Sequence, residues 1–354
     1  MSEALFVSNV NNTYSAGAVV NITLNADGSI ASATPNFEVG QNYSSILTFN
    51  ADSGIPSGAL VPQGTLTLSS GIAIDGTNLL VNDQGYYNSS SGLYGRVMDF
   101  DIYTGQLKDS SFISGDVLTS HGLNFPEDIK IGNNGNIFVS GLGGGGVQEF
   151  SGITHQYIKT VASLNSNGQE LIAAGLNFGP DGNLYISSVL NDNSILKYDP
   201  SKGSTSVLVQ PAVAPYVPSG TVISPTTQTL LGSSFLSNGS GIPVQQYNSV
   251  TGAPLSDFVG NQNGGMQSAS RLIFGSNNDL YISDYDGSQI IRFTEIGGFA
   301  PSGSNPGAVF VGSGVQGLSN PGGIAIANVP ESSNILGVIV LTIIGAFFKM
   351  KVKK

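Results

Sequence analysis

The sequence predicts an all-β protein, a six-bladed β-propeller followed by one C-terminal transmembrane helix, on three observations. A short strand motif with an apolar or aromatic centre recurs about every 50 residues, which suits one four-stranded blade per repeat. Asp-Gly and Asn-Gly pairs lie between adjacent apolar strands, where tight hairpins need residues that adopt positive φ. Near the C-terminus, an unbroken apolar run precedes a cluster of lysines, as in a membrane-spanning segment.

The repeated strand reads small or polar, apolar, aromatic or apolar, apolar, and then small or polar. Its six copies lie at residues 4–8, 78–82, 136–140, 183–187, 229–233 and 279–283. An apolar strand and a tight turn precede each clear copy, and a further apolar strand, such as Ser194–Asp199, follows it. The first interval is longer than the others, so we expect an insertion near residues 41–70.

The two ends of the chain hold complementary halves of one repeat. Asn320–Ala327 has the pattern of a first strand with no second strand after it, whereas Ala4–Ser8 is a second strand with no first. Pairing them makes one blade from both termini and closes the ring without free sheet edges. We therefore predict a propeller over residues 1–328. The alternative, a seven-bladed ring, needs an extra blade built from Ile46–Phe49 and Thr65–Leu68.

The composition restricts the kinds of site that this chain builds. There is no cysteine and no tryptophan in 354 residues, which excludes disulfides and thiolate metal sites. Charged residues make up 10% of the chain, and the formal net charge is −11. Because a surface with this negative charge repels the phosphate backbone of nucleic acids, we expect no nucleic-acid partner. No cofactor is required by the sequence; if one is present, we expect Ca²⁺ or another divalent cation.

Residues 329–354 differ in character from the rest of the chain. They comprise a polar motif (Val329, Pro330, Glu331, Ser332 and Ser333), an apolar stretch over about 334–348 and a basic end over 349–354. A helix of 14 apolar residues rises about 21 Å, less than the roughly 30 Å hydrocarbon core of a bilayer. Lysine side chains extend such a span because they reach from its apolar edge to the headgroups. Since lysines favour the cytoplasmic side, we predict a single membrane helix with the propeller outside and the C-terminus inside.

This tail resembles the PEP-CTERM sorting signal of bacterial surface proteins. Ser332 stands where that family usually has a second proline, and the terminal cations are lysines where arginines are more frequent. The resemblance implies a cell-envelope or extracellular location and an exosortase-type sorting enzyme as a partner. Export also needs an N-terminal leader, but the chain opens on the strand Ala4–Ser8. We expect that a leader precedes these residues or has been removed, rather than that the protein stays in the cytoplasm.

The repeats resemble the NHL and gluconolactonase-like β-propellers over roughly residues 4–327. In such propellers the first strand of a blade starts, and the second strand ends, at one face around the central channel. The resemblance puts on or near that face the polar and aromatic residues Asp83, His121, Glu127, Asp128, Asp284, Tyr285 and Asp286. Gluconolactonase-like propellers hold a divalent metal in the channel with a glutamate, an asparagine and an aspartate. The resemblance therefore implies Glu127 as a metal ligand, with Asp83 or Asp284 beside it.

Two functions remain open. The first is an exported, surface-anchored propeller that binds a protein or an extracellular polysaccharide through its loop face without catalysis. The second is a metal-dependent lactonase-like or lyase-like enzyme with its site in the channel. No catalytic residue is assigned, because a general base needs an oriented partner and His121 has no second histidine near it in the sequence. An enzyme requires several carboxylates or amides around one point, whereas a binding protein presents aromatics such as Tyr86, Tyr87 and Tyr285.

Overall fold

The computed structural model describes residues 2–10, 20–27, 29–35, 43–190, 192–211, 217–234, 244–259 and 264–330. Six antiparallel sheets stand in a ring around a central channel. The innermost strand of each sheet contacts the innermost strands of both neighbouring sheets, which closes the ring. The predicted six-bladed β-propeller is confirmed.

Each blade runs outward from the channel through antiparallel strands. Five blades have four strands, and blade 5 has three within the described residues. From the channel outward, the strands are Pro321–Val329, Ser2–Asn9, Ser44–Asn50 and Pro56–Leu66 in blade 1; Ser69–Asp75, Asn78–Asn88, Leu93–Asp101 and Leu107–Ile113 in blade 2; Pro126–Ile131, Ile137–Gly141, Val147–Phe150 and Tyr157–Ala162 in blade 3; Ala173–Phe178, Leu184–Ser188, Ile195–Asp199 and Ser204–Val209 in blade 4; Pro218–Ile223, Leu230–Ser234 and Val244–Tyr247 in blade 5; and Ala269–Phe274, Leu280–Asp284, Gln289–Phe293 and Val309–Val311 in blade 6.

Smaller elements lie outside the blades. A β-hairpin of Val20–Leu24 and Ile30–Pro35 is inserted between the second and third strands of blade 1. A short α-helix, Gly115–Thr119, lies between blades 2 and 3, and the side chain of Ser114 caps its N-terminus. A 3-10 turn at Val315–Gly317 precedes the innermost strand of blade 1.

The predicted insertion near residues 41–70 is misplaced. Ser44–Asn50 and Pro56–Leu66 pair with each other as the two outer strands of blade 1. Between them lies a tight turn in which Asn50 Oδ1 accepts the N–H groups of residues 52 and 53. The small and polar residues of this turn resemble an inserted loop, whereas the extra residues form the hairpin that follows the second strand. The same assignment excludes a seventh blade, because the strands proposed for it belong to blade 1.

Closure of the ring follows the prediction from the chain termini. Leu5 pairs with Ile326 and Val7 pairs with Ile324, so the two ends build blade 1 together. The innermost strand runs to Val329, which pairs with Ser2. The propeller therefore continues one residue beyond the predicted boundary at 328 and includes the first residue of the polar motif.

Most of the predicted tail lies outside the described residues. This applies to Glu331 and Ser332 of the motif, to the apolar stretch at about 334–348 and to the basic end at 349–354. Within the part of the chain that the structure describes, no helix is long and apolar enough to cross a membrane.

The aromatic centre of the repeated motif packs between blades. Phe138, Tyr185 and Tyr281 occupy the same position in blades 3, 4 and 6, and all three are fully buried. The ring of Phe138 meets Phe178 of blade 4 edge-on, with 5.1 Å between centroids. The hydroxyl of Tyr281 donates to the carbonyl of Ala51 in blade 1 at 2.5 Å. Because each side chain leaves water on folding, it contributes about 1.5 to 3 kcal/mol toward joining adjacent blades.

The last residue of the motif bridges adjacent blades by hydrogen bonds. Ser140 Oγ accepts the N–H of Asp128 in its own blade and donates to the carbonyl of Ala174 in blade 4 at 2.6 Å. Ser233 and Ser283 form equivalent bridges from blade 5 to blade 6 and from blade 6 to blade 1. These hydroxyls satisfy buried backbone groups that the sheets themselves leave without partners. The repeat therefore specifies the junctions as well as the strands.

Candidate functional site

One position of the innermost strand differs between blades. At its third residue, next to a β-bulge, four blades carry glycine, namely Gly71, Gly175, Gly220 and Gly323. Blades 3 and 6, which face each other across the ring, carry Asp128 and Arg271 instead. A Cβ atom at Gly175 or Gly323 would collide with the backbone of the next blade. Glycine thus lets the blades approach closely, and two opposite blades place charged side chains at the same level.

Arg271 crosses the channel from blade 6 to blade 3. Its Nη2 donates to Glu127 Oε1 at 2.6 Å, and its Nε lies 3.3 Å from Asp128 Oδ2. Its Nη1 donates to the carbonyl and the hydroxyl of Ser219 in blade 5, both at 3.1 Å. Gln84 of blade 2 donates to Glu127 Oε2 at 2.9 Å. These five residues, termed the channel cluster, connect blades 2, 3, 5 and 6.

The charges of the channel cluster compensate one another. Burial opposes the positive charge of Arg271, but the adjacent Asp128 and Glu127 outweigh burial and raise the pKa of the guanidinium. Lys130 Nζ lies 2.8 Å from Asp128 Oδ1, and the N–H of Leu176 donates to Asp128 Oδ2 at 2.9 Å. With Lys130 counted beside the channel cluster, the two carboxylates of Glu127 and Asp128 face two cations, so the opposite charges balance.

Arg271 also supports two blade junctions where the motif provides no bridge. Asn82 and Ser187 occupy the bridging position in blades 2 and 4, but their side chains make no hydrogen bond to any described residue. The equivalent carbonyls in the neighbouring blades belong to Glu127 and Ser219. Both accept hydrogen bonds from the guanidinium, at 3.5 and 3.1 Å. One side chain thus supplies donors to both junctions.

A cavity of about 160 Å³ lies over the channel cluster, at the end of the propeller where the innermost strands start. This end is termed the cavity face. Gln84, Glu127 and Arg271 contribute polar groups to the cavity. Its walls are mostly apolar and include Val10, Ile22, Leu68, Leu142, Val189 and Tyr285. An apolar cavity of about 150 Å³ holds one benzene molecule, so this cavity accommodates a single ring or a branched aliphatic group.

The inserted hairpin covers part of this cavity. Ile22 lines the cavity together with Leu142, which follows the second strand of blade 3, and both pack against the same clusters of buried apolar residues. Two hydrogen bonds fasten the hairpin to the loop between blades 3 and 4. Gln169 Nε2 donates to the carbonyl of Asp27 at 2.7 Å, and the N–H of Ile30 donates to Glu170 Oε2 at 3.2 Å. The hairpin is therefore part of the site, although sequence reasoning placed the insertion elsewhere.

A row of aromatic side chains runs from the cavity to the outer loops. Phe125, which is buried against the apolar wall, stacks on Tyr94 with 4.7 Å between centroids, and Tyr94 contacts Tyr87 at 5.1 Å. Tyr86 lies beside this row, and the guanidinium of Arg96 is 4.2 Å from its ring centre. Tyr86 and Tyr87 are 37% and 44% exposed. These four aromatic residues are termed the aromatic ridge, and Tyr86 and Tyr87 form its exposed end.

Asp83 and Asp284 have structural contacts that use both of their carboxylate oxygens. The two residues occupy equivalent positions in the second strands of blades 2 and 6. Each accepts two backbone N–H groups from the loop before the innermost strand, at 2.6 to 3.1 Å. Asp83 also pairs with Arg96 at 2.9 Å, and Asp284 accepts from Gln289 at 2.8 Å. Burial raises the pKa of both carboxyls, opposed by Arg96 at Asp83 and by Gln289 at Asp284.

The three predicted metal ligands do not form one metal site. Glu127 lies in the channel cluster, whereas Asp83 and Asp284 hold loops in two different blades. Over the described ranges, no group of three or more histidine, aspartate or glutamate side chains is arranged to hold a metal ion. The oxygens of the three carboxylates face protein donors instead. This donor set does not fit the divalent cation implied by the resemblance.

The remaining predicted residues fall into two groups. Asp128 belongs to the channel cluster and Tyr285 lines the cavity, with Asp286 next to it in the chain. Burial raises the pKa of Tyr285, and the negative charges of Glu127 and Asp286 add to that effect. His121 instead stacks on Tyr157, on the outer strand of blade 3, with 3.7 Å between centroids. The structure thus places His121 away from the cavity.

Sequence reasoning missed the central residue of the site, Arg271, as well as Ser219, which accepts from Arg271, and Gln84, which donates to Glu127. A signal for Arg271 was present, because it occupies a position that is glycine in four of the six innermost strands. Its partners lie in other blades, and no local pattern connects them to it.

No protein-family model matches this chain, and no curated protein matches it. Among solved structures, a chain in the crystal structure of a nidogen/laminin complex is 14% identical with a TM-score of 0.54, covering 93% of this chain and 99% of that one. A putative gluconolactonase is 15% identical with a TM-score of 0.48, covering 65% and 75% of the two chains. Virginiamycin B lyase from Staphylococcus aureus is 15% identical with a TM-score of 0.48, covering 82% and 85%. The similarity to the chain from the nidogen/laminin complex is a similarity of fold alone.

Proposed function

We propose that this protein is an exported, surface-anchored β-propeller that binds a protein or an extracellular polysaccharide through its cavity face and catalyses no reaction. The observation that carries this proposal is the cavity itself. Its walls are mostly apolar, and the carboxylate on its floor already accepts hydrogen bonds from Arg271 and Gln84. Such a site binds through shape and apolar contact, with orientation supplied by a few polar groups.

The aromatic ridge supports a macromolecular partner rather than a lone small molecule. Tyr87 and Tyr86 extend the apolar surface outward from a cavity that holds only one ring-sized group. Stacking against Tyr94 and Phe125 restricts the ridge before binding. Tyrosine then provides a large contact area at a low cost in conformational entropy, and its hydroxyl remains available for hydrogen bonds. A partner would insert one group into the cavity and lie along the ridge.

The anchoring part of the proposal rests on the sequence of the tail. The run Ile335–Phe348 is apolar apart from Thr342, and lysines follow it to the end of the chain. The innermost strand of blade 1 ends at Val329 on the side opposite the cavity. A membrane anchor that follows this strand would leave the cavity face turned away from the bilayer and accessible to partners.

A metal-dependent lactonase-like or lyase-like activity is the second candidate, and one observation favours it. The side chain of Glu127 is 18% exposed at the cavity, so a substrate in the cavity would meet its carboxylate. To act as a base or a metal ligand, Glu127 would first have to give up hydrogen bonds to Arg271 and Gln84. Because Glu127 would have to give up these hydrogen bonds, we place the enzyme second to the non-catalytic binding protein.

The test is affinity electrophoresis of the purified chain through gels that contain single defined polysaccharides, such as dextran, xylan, alginate or a soluble chitin derivative. Tyr87→Ala removes an exposed ring from the ridge, and Tyr103→Ala is its control because Tyr103 is similarly exposed, at 40%, on the opposite side. We expect at least one polysaccharide to retard the wild-type chain. Loss of a central aromatic contact typically costs about 2 kcal/mol, so Tyr87→Ala should bind at least about tenfold more weakly. Tyr103→Ala should bind as the wild type does.

The other outcomes separate the alternatives. If no polysaccharide retards the chain, cross-linking on intact cells tests for a protein partner, and a specific adduct lost in Tyr87→Ala but kept in Tyr103→Ala identifies one. Hydrolysis of an aldonolactone or cleavage of a cyclic ester that disappears in Glu127→Gln would overturn the non-catalytic proposal. Equal behaviour of both tyrosine variants in every binding assay would show that the ridge is not the binding surface.

A further inference from the structure

The face opposite the cavity carries a repeated pattern of exposed apolar residues. Here lies the turn that follows the third strand of each blade, and the innermost strand of blade 1 leaves toward the C-terminus, so this end is termed the exit face. In blades 3, 5 and 6 the turns after the third strand expose Ile153, Val250 and Ile296, which are 90%, 80% and 78% exposed. Tyr103 holds the equivalent position in blade 2. Four of six blades therefore present a large apolar side chain at the tip of the same turn.

Turn formation does not require apolar residues at these tips. The N–H groups of Tyr103, Ile153 and Val250 donate to side-chain oxygens two residues earlier, at 3.0 to 3.2 Å. Only the backbone of the tip residue takes part in this contact. Blades 1 and 4 make the same hydrogen bond with Asp52 and Ser201 at the tip. Since polar residues fit the turn equally well, the apolar residues need another explanation.

Additional apolar side chains extend this surface. Those that are exposed in or beside the same connections are Ile55, Leu107, Ile158, Leu255 and Phe299. Scattered single apolar residues are normal on a soluble surface, but recurrence at one position around a ring indicates an interaction surface. The same turns also carry acidic residues, including Asp52 and Asp101. A partner of this face must therefore bind apolar side chains, and negative charge on the partner would oppose the contact.

The tail determines how far this face is from any membrane that the tail enters. A cleft on the exit face is lined by Val329 and Pro330 together with Tyr103 of blade 2, so the chain leaves beside one of the apolar tips. The apolar run starts at Ile335, five residues after Pro330. Five extended residues span at most about 17 Å. A bilayer that holds the run would then lie within that distance of the exit face.

We infer that the exit face lies on a lipid bilayer, with Ile153, Val250, Ile296 and Tyr103 inserted at the headgroup boundary. The inference rests on the anchoring part of the proposed function. Burial of the apolar tips in the acyl region provides the contact, and the acidic residues between them stay in the aqueous layer. The contact is therefore expected on zwitterionic lipid, and anionic lipid should weaken it. The propeller stands upright, with its cavity pointing into the surroundings.

The absence of cysteine makes a direct test possible, because each single-cysteine variant of the full chain carries one label. Ile153→Cys and Val250→Cys report on the exit face. Leu164→Cys, 56% exposed in the loop between blades 3 and 4 on the cavity face, is the control. Each variant receives an environment-sensitive fluorophore and is reconstituted into phosphatidylcholine vesicles that contain a lipid-borne quencher. We expect quenching at 153 and 250 at least several-fold stronger than at 164.

Equal quenching at all three positions, or none at 153 and 250 in chain captured by vesicles, would overturn the inference while leaving the anchor intact. A blue shift at 153 and 250 that grows with protein concentration without vesicles would assign the face to contact between proteins and overturn it as well. Failure of the vesicles to capture the chain would refute the anchor and this inference together. A second variant set supports or refutes the same point: Ile153→Asn with Ile296→Asn should abolish quenching at 250. Polysaccharide binding at the cavity face is measured without lipid and is unaffected by any of these results.

Discussion

Arg271 and Asp128 occupy the same bulge position in opposite blades, and 3.3 Å separates Nε of the arginine from Oδ2 of the aspartate. Blades 3 and 6 are as far apart around the ring as two of six blades can be. The contact therefore joins the two halves of the propeller directly through the channel. Since Glu127 and Ser219 take part in the same network, the floor of the cavity is also a structural brace.

Loss of this brace should destabilise the whole propeller. Arg271→Met keeps a long side chain but leaves the buried Asp128 and the partly buried Glu127 without the guanidinium. Removing one partner of a buried ion pair typically costs about 3 to 5 kcal/mol. We expect a loss of that size in the free energy of unfolding, measured by urea denaturation followed by tyrosine fluorescence.

Lys130→Met is the matched control for that experiment. Its ammonium also pairs with Asp128, at 2.8 Å, but the side chain is 26% exposed. Partly exposed pairs contribute about 0 to 1 kcal/mol, so this variant should lose much less stability. Similar losses in both variants would contradict a special role for the arginine.

The bridging serines allow a comparison at one structural position. Ser140 and Ser187 are both fully buried, but Ser140 bridges blades 3 and 4 whereas Ser187 makes no hydrogen bond to the described residues. Ser140→Ala leaves buried backbone groups without partners and should cost about 1 to 3 kcal/mol. Ser187→Ala removes an unsatisfied hydroxyl and should change stability by no more than about 0.5 kcal/mol. Urea titrations of the two variants test this, and equal losses would refute the bridging role.

Asp284 should prove structural rather than a ligand. Asp284→Ala removes the acceptor of two backbone N–H groups and should cost about 2 kcal/mol or more in unfolding free energy. Asp286→Ala, two residues on and less buried, should cost less than about 0.5 kcal/mol. Thermal unfolding of both variants gives the comparison. A larger loss for Asp286 would overturn the assignment.

Calcium should not stabilise the protein, because the predicted ligands face protein donors in separate places. A calcium site with a dissociation constant of about 10 μM would add about 2.7 kcal/mol at 1 mM free calcium. We expect the urea midpoint to be the same in 1 mM calcium chloride as in excess EDTA. A midpoint raised by calcium in the wild type but not in Glu127→Gln would restore the metal-site hypothesis.

Asp99 should make stability depend on pH between about 4 and 6. Burial raises its pKa to about 6, partly opposed by Lys108 and reinforced by nearby aspartates. The pKa of an unfolded aspartate is about 3.9, so the folded state binds more protons in this interval and stability falls as pH rises through it. Asp99→Asn removes that dependence. The variant should gain up to about 3 kcal/mol over the wild type at pH 7 and little at pH 4.

Urea midpoints of wild type and Asp99→Asn at pH 4, 5 and 7 measure this difference. The gap between them should widen as pH rises. A gap that stays constant with pH would mean that the substitution changes packing or hydrogen bonding, and that Asp99 does not titrate in this range.

Much of the fold was predictable because it repeats. The buried centres at Phe138, Tyr185 and Tyr281 recur with the same neighbours, since every blade junction has the same packing requirement. Closure by the two termini was predictable for a related reason, because a first strand without a second implies a partner at the other end of the chain. The insertion was not, since a hydrogen-bonded turn after Asn50 has the same composition as an irregular loop.

What the sequence determined by itself is the repeated framework: the number of blades, the second strand of each and the closing pair. These depend on contacts that recur at fixed spacing, so one local pattern reports them. Only the tertiary structure decided the site. The resemblance implies Glu127 as a metal ligand, but its partners Arg271 and Gln84 come from blades 6 and 2, and their distances depend on how six blades close. A carboxylate that resembles a metal ligand in the sequence becomes part of a brace, because ring closure brings an arginine to it.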